Sequence, residues 1–344
     1  MTEKRTPKQN FLGMARGEKP DALFYLGGYN PFSYGEGNPI QYLSFAPDII
    51  SHAEFFGGKD IWGVNWITAK SGGTNPEHGN YILPDISKWR DYIKAPDLSK
   101  IDWKVMAEKE LEENYAMGVS PEDTVIGLWL HDGYVAQLTN FMGFEDALVA
   151  LYESPEDVFD LFTYMNEFYC KLFDTIIPYY KPDTLHLFDT FAGASPFYSV
   201  DVYQELVLPF HMKEAEIAHK YGLPLEMHCA GKSAAFIDAM EPLGINYWIG
   251  ADPINDLQEV MKKHPSLVMS GGWKQTSDIL KEDCPEEVFK QSIRDVIDLY
   301  APTGRFAWFD NIMAGEDNAE DAAKKNQWLW EVLDTYGRNV IANA

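Results

Sequence analysis

The sequence predicts one (β/α)8 barrel, an α/β fold, spanning residues 1–344. Three observations predict it. Short apolar runs alternate with longer stretches of helical period, as parallel strands crossed by helices do. Glycine or polar residues follow the runs, the residue types that build the loops at the carboxyl rim of a barrel. No G-x-G-x-x-G follows an early strand, so a doubly wound dinucleotide fold lacks its fingerprint.

The elements follow in order. Residues 1–10 and 339–344 are expected to fray. A first strand is read at 23–25. Residues 30–100 are rich in Gly, Pro, Asn and Trp with weak periodicity. They are read as loops and short helices covering one end of the barrel. Further strands are read at 125–130, 184–188, 223–227, 247–249, 267–269 and 305–309. Residues 155–177 carry Val158, Leu161, Phe162, Met165, Phe168, Tyr169, Leu172 and Phe173 at spacings of three and four, the mark of an amphipathic helix. Ser154-Pro155 with Asp157 reads as its capped start. Helices are also read at 202–221, stopped by Gly222, and at 285–300.

Composition narrows function. The formal net charge is −25. Nucleic-acid binding needs a basic face, and an anionic membrane surface repels an acidic one. No run of eighteen apolar residues is present, and the polar start MTEKRTPKQN shows no secretory signal. Cys170, Cys229 and Cys284 are too scattered for a disulfide framework, so a reducing cytoplasm is expected.

Chemistry in a barrel sits after the strands. Glu226-Met227-His228-Cys229 is the sharpest cluster. Strand alternation points Glu226 and His228 one way and Cys229 the other. With a third ligand they could hold zinc with one position open; a buried Glu–His hydrogen bond is the plain alternative. Asp189 and Asp310 each follow an apolar run, as pocket residues or as helix caps. His131 is a weaker substrate contact. Aromatic residues crowd the rim loops, among them Tyr29, Trp62, Trp66, Trp129, Phe191 and Trp273. Flat apolar walls suit an aromatic ring or a methylated cation.

NFLGMARGEKPD, DIWGVNW, GFEDALVALYESPEDVFDLF, SVDVYQELVLPFHMKEAEIAHKYGLPLEMHCAGK, GGW with CPEEV, and GRFAWFDNIMAGED follow one another along nearly the whole chain. This collinear set resembles the uroporphyrinogen-decarboxylase superfamily. The superfamily contains porphyrin decarboxylases and zinc-dependent methyltransferases that work with corrinoid proteins. The decarboxylases bind a polyanion with arginines near the amino terminus. This chain has six arginines, none between Arg16 and Arg90. The methyltransferase pattern is His-x-Cys plus a distant Cys. His228 matches, Ala230 stands at the cysteine position, Cys229 is displaced by one, and no Cys lies near 310–312.

The resemblance therefore implies a methyltransferase that demethylates a small donor, with a methoxylated aromatic expected. The acceptor would be a corrinoid carried by a separate protein. Zinc would be held by Glu226, His228 and Asp310, or by a set including Cys229. Asp189 would serve as acid or substrate anchor, with Glu226 and His228 also catalytic. Tyr29, Trp62, Trp273 and His131 are the expected substrate contacts. A methylamine donor, a decarboxylase of the same fold, and a non-catalytic binding protein are the alternatives.

Overall fold

The computed structural model describes residues 4–26, 40–69, 73–314 and 318–343. The strands are β1 (Phe24–Tyr25), β2 (Tyr42–Phe45), β3 (Gly58–Lys59), β4 (Asn65–Thr68), β5 (Thr74–Pro76), β6 (Val125–Leu128), β7 (Thr184–Phe188), β8 (Leu225–His228), β9 (Tyr247–Ala251), β10 (Val268–Gly271) and β11 (Phe306–Trp308). Eight of them form one sheet in the order β1-β11-β10-β9-β8-β7-β6-β2, every pairing parallel. This is the predicted (β/α)8 barrel. A side chain bridges its seam. Gln41 Oε1 accepts the N–H of Tyr25 on β1 at 3.0 Å. The Gln41 carbonyl accepts the N–H of Val125 at 2.9 Å.

The sequence pattern missed β2, which lies in the stretch read as irregular. All four of its residues are buried, so it lacks the two-residue alternation that marks a half-buried strand. The same stretch holds a small antiparallel sheet, β3-β4-β5. Asp60 organises its first turn. One carboxylate oxygen accepts the N–H groups of Trp62 and Val64, both at 2.9 Å, and the other accepts the Trp66 indole N–H at 3.1 Å. Gly63 has φ +93°, which a residue with a Cβ rarely adopts. The D-x-x-G-x-x-W spacing therefore aims Trp66.

A capped helix begins at Pro7, inside the stretch where fraying was expected. Thr6 and Gln9 form a reciprocal capping box on the helix Pro7–Ala15. Phe11 of that helix stacks on Tyr247 at 4.3 Å and joins Phe24, Tyr42, Val125, Val268 and Ala307 inside the barrel. The helix thus plugs the amino-terminal end. Residues 338–343 are also helical. The long helix runs Pro155–Tyr180, three residues beyond expectation, but Ser154 makes no side-chain cap bond. The expected helix at 202–221 is two, Val200–Leu206 and Leu208–Tyr221. Pro209 has no N–H to continue the first ladder. Gly222 ends the second at φ 68°. No helix among the described residues is long and apolar enough to cross a membrane.

Candidate active site

Strand alternation aims His186, Glu226 and His228 into the barrel, with Tyr42 opposite. The Tyr42 hydroxyl lies 2.6 Å from Glu226 Oε2 and 3.2 Å from His186 Nδ1. Glu226 has no exposure, and burial pushes its carboxyl up to about 8, against the hydroxyls of Tyr42 and Thr184. It is neutral at pH 7. The Tyr42 hydroxyl donates to Glu226 Oε2, and the His186 tautomer sets the roles in its contact with the same hydroxyl. Space around the hydroxyl is scarce: a Cβ on Gly127 would lie 2.0 Å from it.

One layer higher sits His228, between Phe188 and Phe309 at ring-centre distances of 5.3 and 5.7 Å. Burial lowers its imidazole to about 4, so it too is neutral. Gly250 makes room for it. A Cβ there would lie 2.7 Å from His228 Cδ2 and Nε2, and the backbone is at φ +76°. Gly250→Ala should displace the His228 ring and cost about 2–3 kcal/mol. Denaturant unfolding and the His228 ring resonances check this; an unmoved ring would refute it.

Above His228 opens a cavity of about 600 Å³ at the carboxyl rim of β6, β7 and β8. Its aromatic walls are Phe55, Trp66, Trp129, Phe188 and Phe191. Among the described residues its acids are Glu54, Asp132 and Asp189, and no lysine or arginine lines it. The helix Asp48–Phe56 and the sheet β3-β4-β5 supply the outer wall. Burial pushes Asp132 up to about 6, with Asp60 adding to the rise and His131 opposing it. Burial, then the charges of Asp132 and Asp60, hold Glu54 well above the ordinary carboxylate range.

Asp189 lines this cavity but is bound by backbone. Its oxygens accept the N–H groups of Tyr134 (3.2 Å), Val135 (3.1 Å), Ala136 (3.2 Å) and Thr190 (2.8 Å). It caps the helix Tyr134–Met142, which precedes it in sequence, rather than acting as an open acid or anchor. Burial pushes it up to about 7 while those N–H groups pull it down. Behind it is a buried network. His211 Nε2 lies 3.8 Å from Asp189 Oδ2. Glu214 Oε1 meets His131 Nε2 at 3.0 Å and accepts the Tyr134 hydroxyl. Burial works to raise Glu214, but His131, His211 and Tyr134 outweigh it and leave it lowered.

Several expected contacts lie elsewhere. His131 is core: it stacks on Tyr169 at 4.0 Å, and its Nδ1 accepts the Gly133 N–H at 3.1 Å, which leaves Nε2 to donate to Glu214. Trp62 is buried against Phe141 and Phe168 and donates to the Tyr169 hydroxyl at 2.7 Å. Trp273 packs between Trp308 and Phe289 in the outer layer and donates to Ser292 Oγ at 3.1 Å. None of the three lines the cavity. Tyr29 lies outside the described residues. Glu54 and Phe55 carried no sequence signal beyond flanking the apolar stripe of a short helix. Asp132 was visible only as one of three residues after a strand.

The expected zinc set does not gather. Glu226 is committed to Tyr42 a layer below His228. The Cys229 thiol lies against Ser233 and Trp248, and burial pushes it up to about 12. Asp310 stands beside Trp273 and Asp252, where burial pushes it up to about 7. Among the described residues no three His, Cys, Asp or Glu side chains are grouped to hold a metal. The sets expected from sequence do not fit zinc among the described residues.

A parallel barrel with a lined cavity at its carboxyl rim has the architecture of the β/α-barrel enzymes. The sequence model of the uroporphyrinogen decarboxylase (URO-D) family matches residues 134–306, half of the chain. The chain belongs to that family. Among solved structures, a methyltransferase from Methanosarcina mazei superposes with a TM-score of 0.68 over 97% of this chain and 99% of its own, at 11% identity. That likeness shows the fold. No curated protein matches the chain in sequence.

Proposed function

We propose that this protein is a methyltransferase that removes a methyl group from a methoxylated aromatic and passes it to a corrinoid on a separate protein. The cavity is the observation that carries the reading: aromatic walls and acidic groups, with no lysine or arginine among the described residues that line it. Flat walls hold a ring by stacking and edge contacts. The acids of the lining count against a porphyrin polycarboxylate. Its carboxylates would be buried beside the like charges of Glu54 and Asp132, and a buried carboxylate left unpaired costs several kcal/mol. The corrinoid, when docked, supplies the nucleophile; this chain's residues hold the ring, exclude water and manage the proton.

The acid lining also favours a second donor, a methylated ammonium held by cation–π contact with Trp66 or Trp129. The test presents the purified protein and free cob(I)alamin with a panel of methoxyphenols, tetramethylammonium and uroporphyrinogen. Methylcobalamin formed from the methoxyphenols is expected. Formation from tetramethylammonium alone would move the donor to the second reading. Decarboxylation of uroporphyrinogen without methyl transfer would sink both.

A further inference from the structure

We propose that Glu54 and Asp132 share one proton across the cavity and together donate it to the leaving oxygen of the methyl donor. This rests on the methyl-transfer reading above and deepens it by naming the acid. The two carboxyls reach the cavity from different elements: Glu54 from the helix Asp48–Phe56, Asp132 from the loop after β6. Both are partly buried, and among the described residues neither side chain has a hydrogen bond or salt bridge. They are close enough for the charge of Asp132 to oppose ionisation of Glu54. Two carboxyls facing one cavity oppose each other's ionisation, and burial favours the protonated form of each.

The other described groups at the cavity are unsuited to the task. Asp189 spends its oxygens on four backbone N–H groups. His228, lowered to about 4, has no proton to give near pH 7. The Cys229 thiol, raised to about 12, is too weak an acid. Two further titratable groups act on the pair, and both are engaged. Asp60 holds Trp62, Val64 and Trp66. His131 holds Glu214.

The step balances. The methyl–oxygen bond breaks as the methyl group bonds to the Co(I) centre of a corrinoid, which is formally oxidised by two electrons to Co(III). The electron pair of the broken bond stays on the aryl oxygen. That oxygen takes the proton of the carboxyl pair and leaves as a phenol. The pair, now carrying two charges, regains a proton from water entering the open cavity. A donor acid matched to neutral pH contributes roughly a hundredfold or more to such a transfer.

The test measures methyl transfer to free cob(I)alamin from aryl methyl ethers whose phenols span a range of acidity. Wild type is compared with Glu54→Gln and Asp132→Asn. Each variant should lose about a hundredfold or more with methoxyphenols and less than about tenfold with nitrophenyl methyl ethers, whose oxygens leave without help. A loss of equal size across the series, or no loss, would overturn the proposal. Infrared difference spectra at pH 7 give a readout independent of activity. The protonated carboxyl stretch present in wild type should fall by one group in either variant, and an unchanged band would overturn the shared proton. A wild type that demethylates none of the ethers, while the band still falls by one group in either variant, would instead remove the methyl-transfer reading, and the donor role with it.

Discussion

Glu226→Gln should be more stable than wild type at pH 9 by roughly 4–5 kcal/mol and within about 1 kcal/mol of it at pH 5. The sign follows from the direction of the shift. The folded protein raises the Glu226 carboxyl from its ordinary 4.5 to about 8. The stability from a raised carboxyl is fully present below the unfolded value, and it is lost as pH climbs through the folded one. Above pH 8 the wild-type barrel must hold a buried carboxylate among Tyr42, His186 and apolar neighbours. Glutamine keeps an oxygen and a donor at the same place and cannot ionise. Urea unfolding at pH 5, 7 and 9 reads the difference directly, and groups common to both proteins cancel. A gap that fails to widen with pH would show that Glu226 is ionised in the folded state.

Asp189→Asn should cost about 2–4 kcal/mol at pH 7. The carboxyl gathers four backbone N–H groups at the start of the helix Tyr134–Met142. Asparagine offers one oxygen to that set and turns an NH2 group against the others, leaving buried donors unmet. The carboxyl also packs under Gly133, where a Cβ would fall 2.6 Å from Asp189 Cγ, so little room exists to rearrange. Ala136, Thr139 and Asn140 of that helix line the cavity. The substitution should therefore also weaken binding of a methoxyphenol. Equilibrium unfolding and ligand titration check the two effects. Wild-type stability would show that the cap is dispensable.

The two substitutions bear on residues singled out from sequence for chemistry, and the structure gives both a supporting role. The signals that carried were local ones. Seven of the eight barrel strands were visible as apolar runs, and Tyr42–Phe45 was hidden because a strand buried on both faces has no alternation. Alternation also placed Glu226 and His228 on the inner face. What it could not supply was depth along the barrel: two residues on one face stand a layer apart, and Glu226 meets Tyr42 rather than the cavity. The rim aromatics divided in the same way. Trp66 and Trp129 reach the cavity, whereas Trp62 and Trp273 turn into packed layers where their indoles find Tyr169 and Ser292.

By itself the sequence determined the barrel class, seven of its eight strands and the residues that follow each of them. Each of those follows from periodicity within one segment, which burial imposes on every strand and helix separately. The tertiary structure alone decided which rim residues share a space. Glu54 and Asp132 are 78 positions apart and belong to different elements, and Asp189 caps a helix that begins 55 positions before it. Such meetings depend on how the outer sheet folds over the barrel mouth, and on which buried polar groups claim each oxygen first. No pattern within a single segment carries that information.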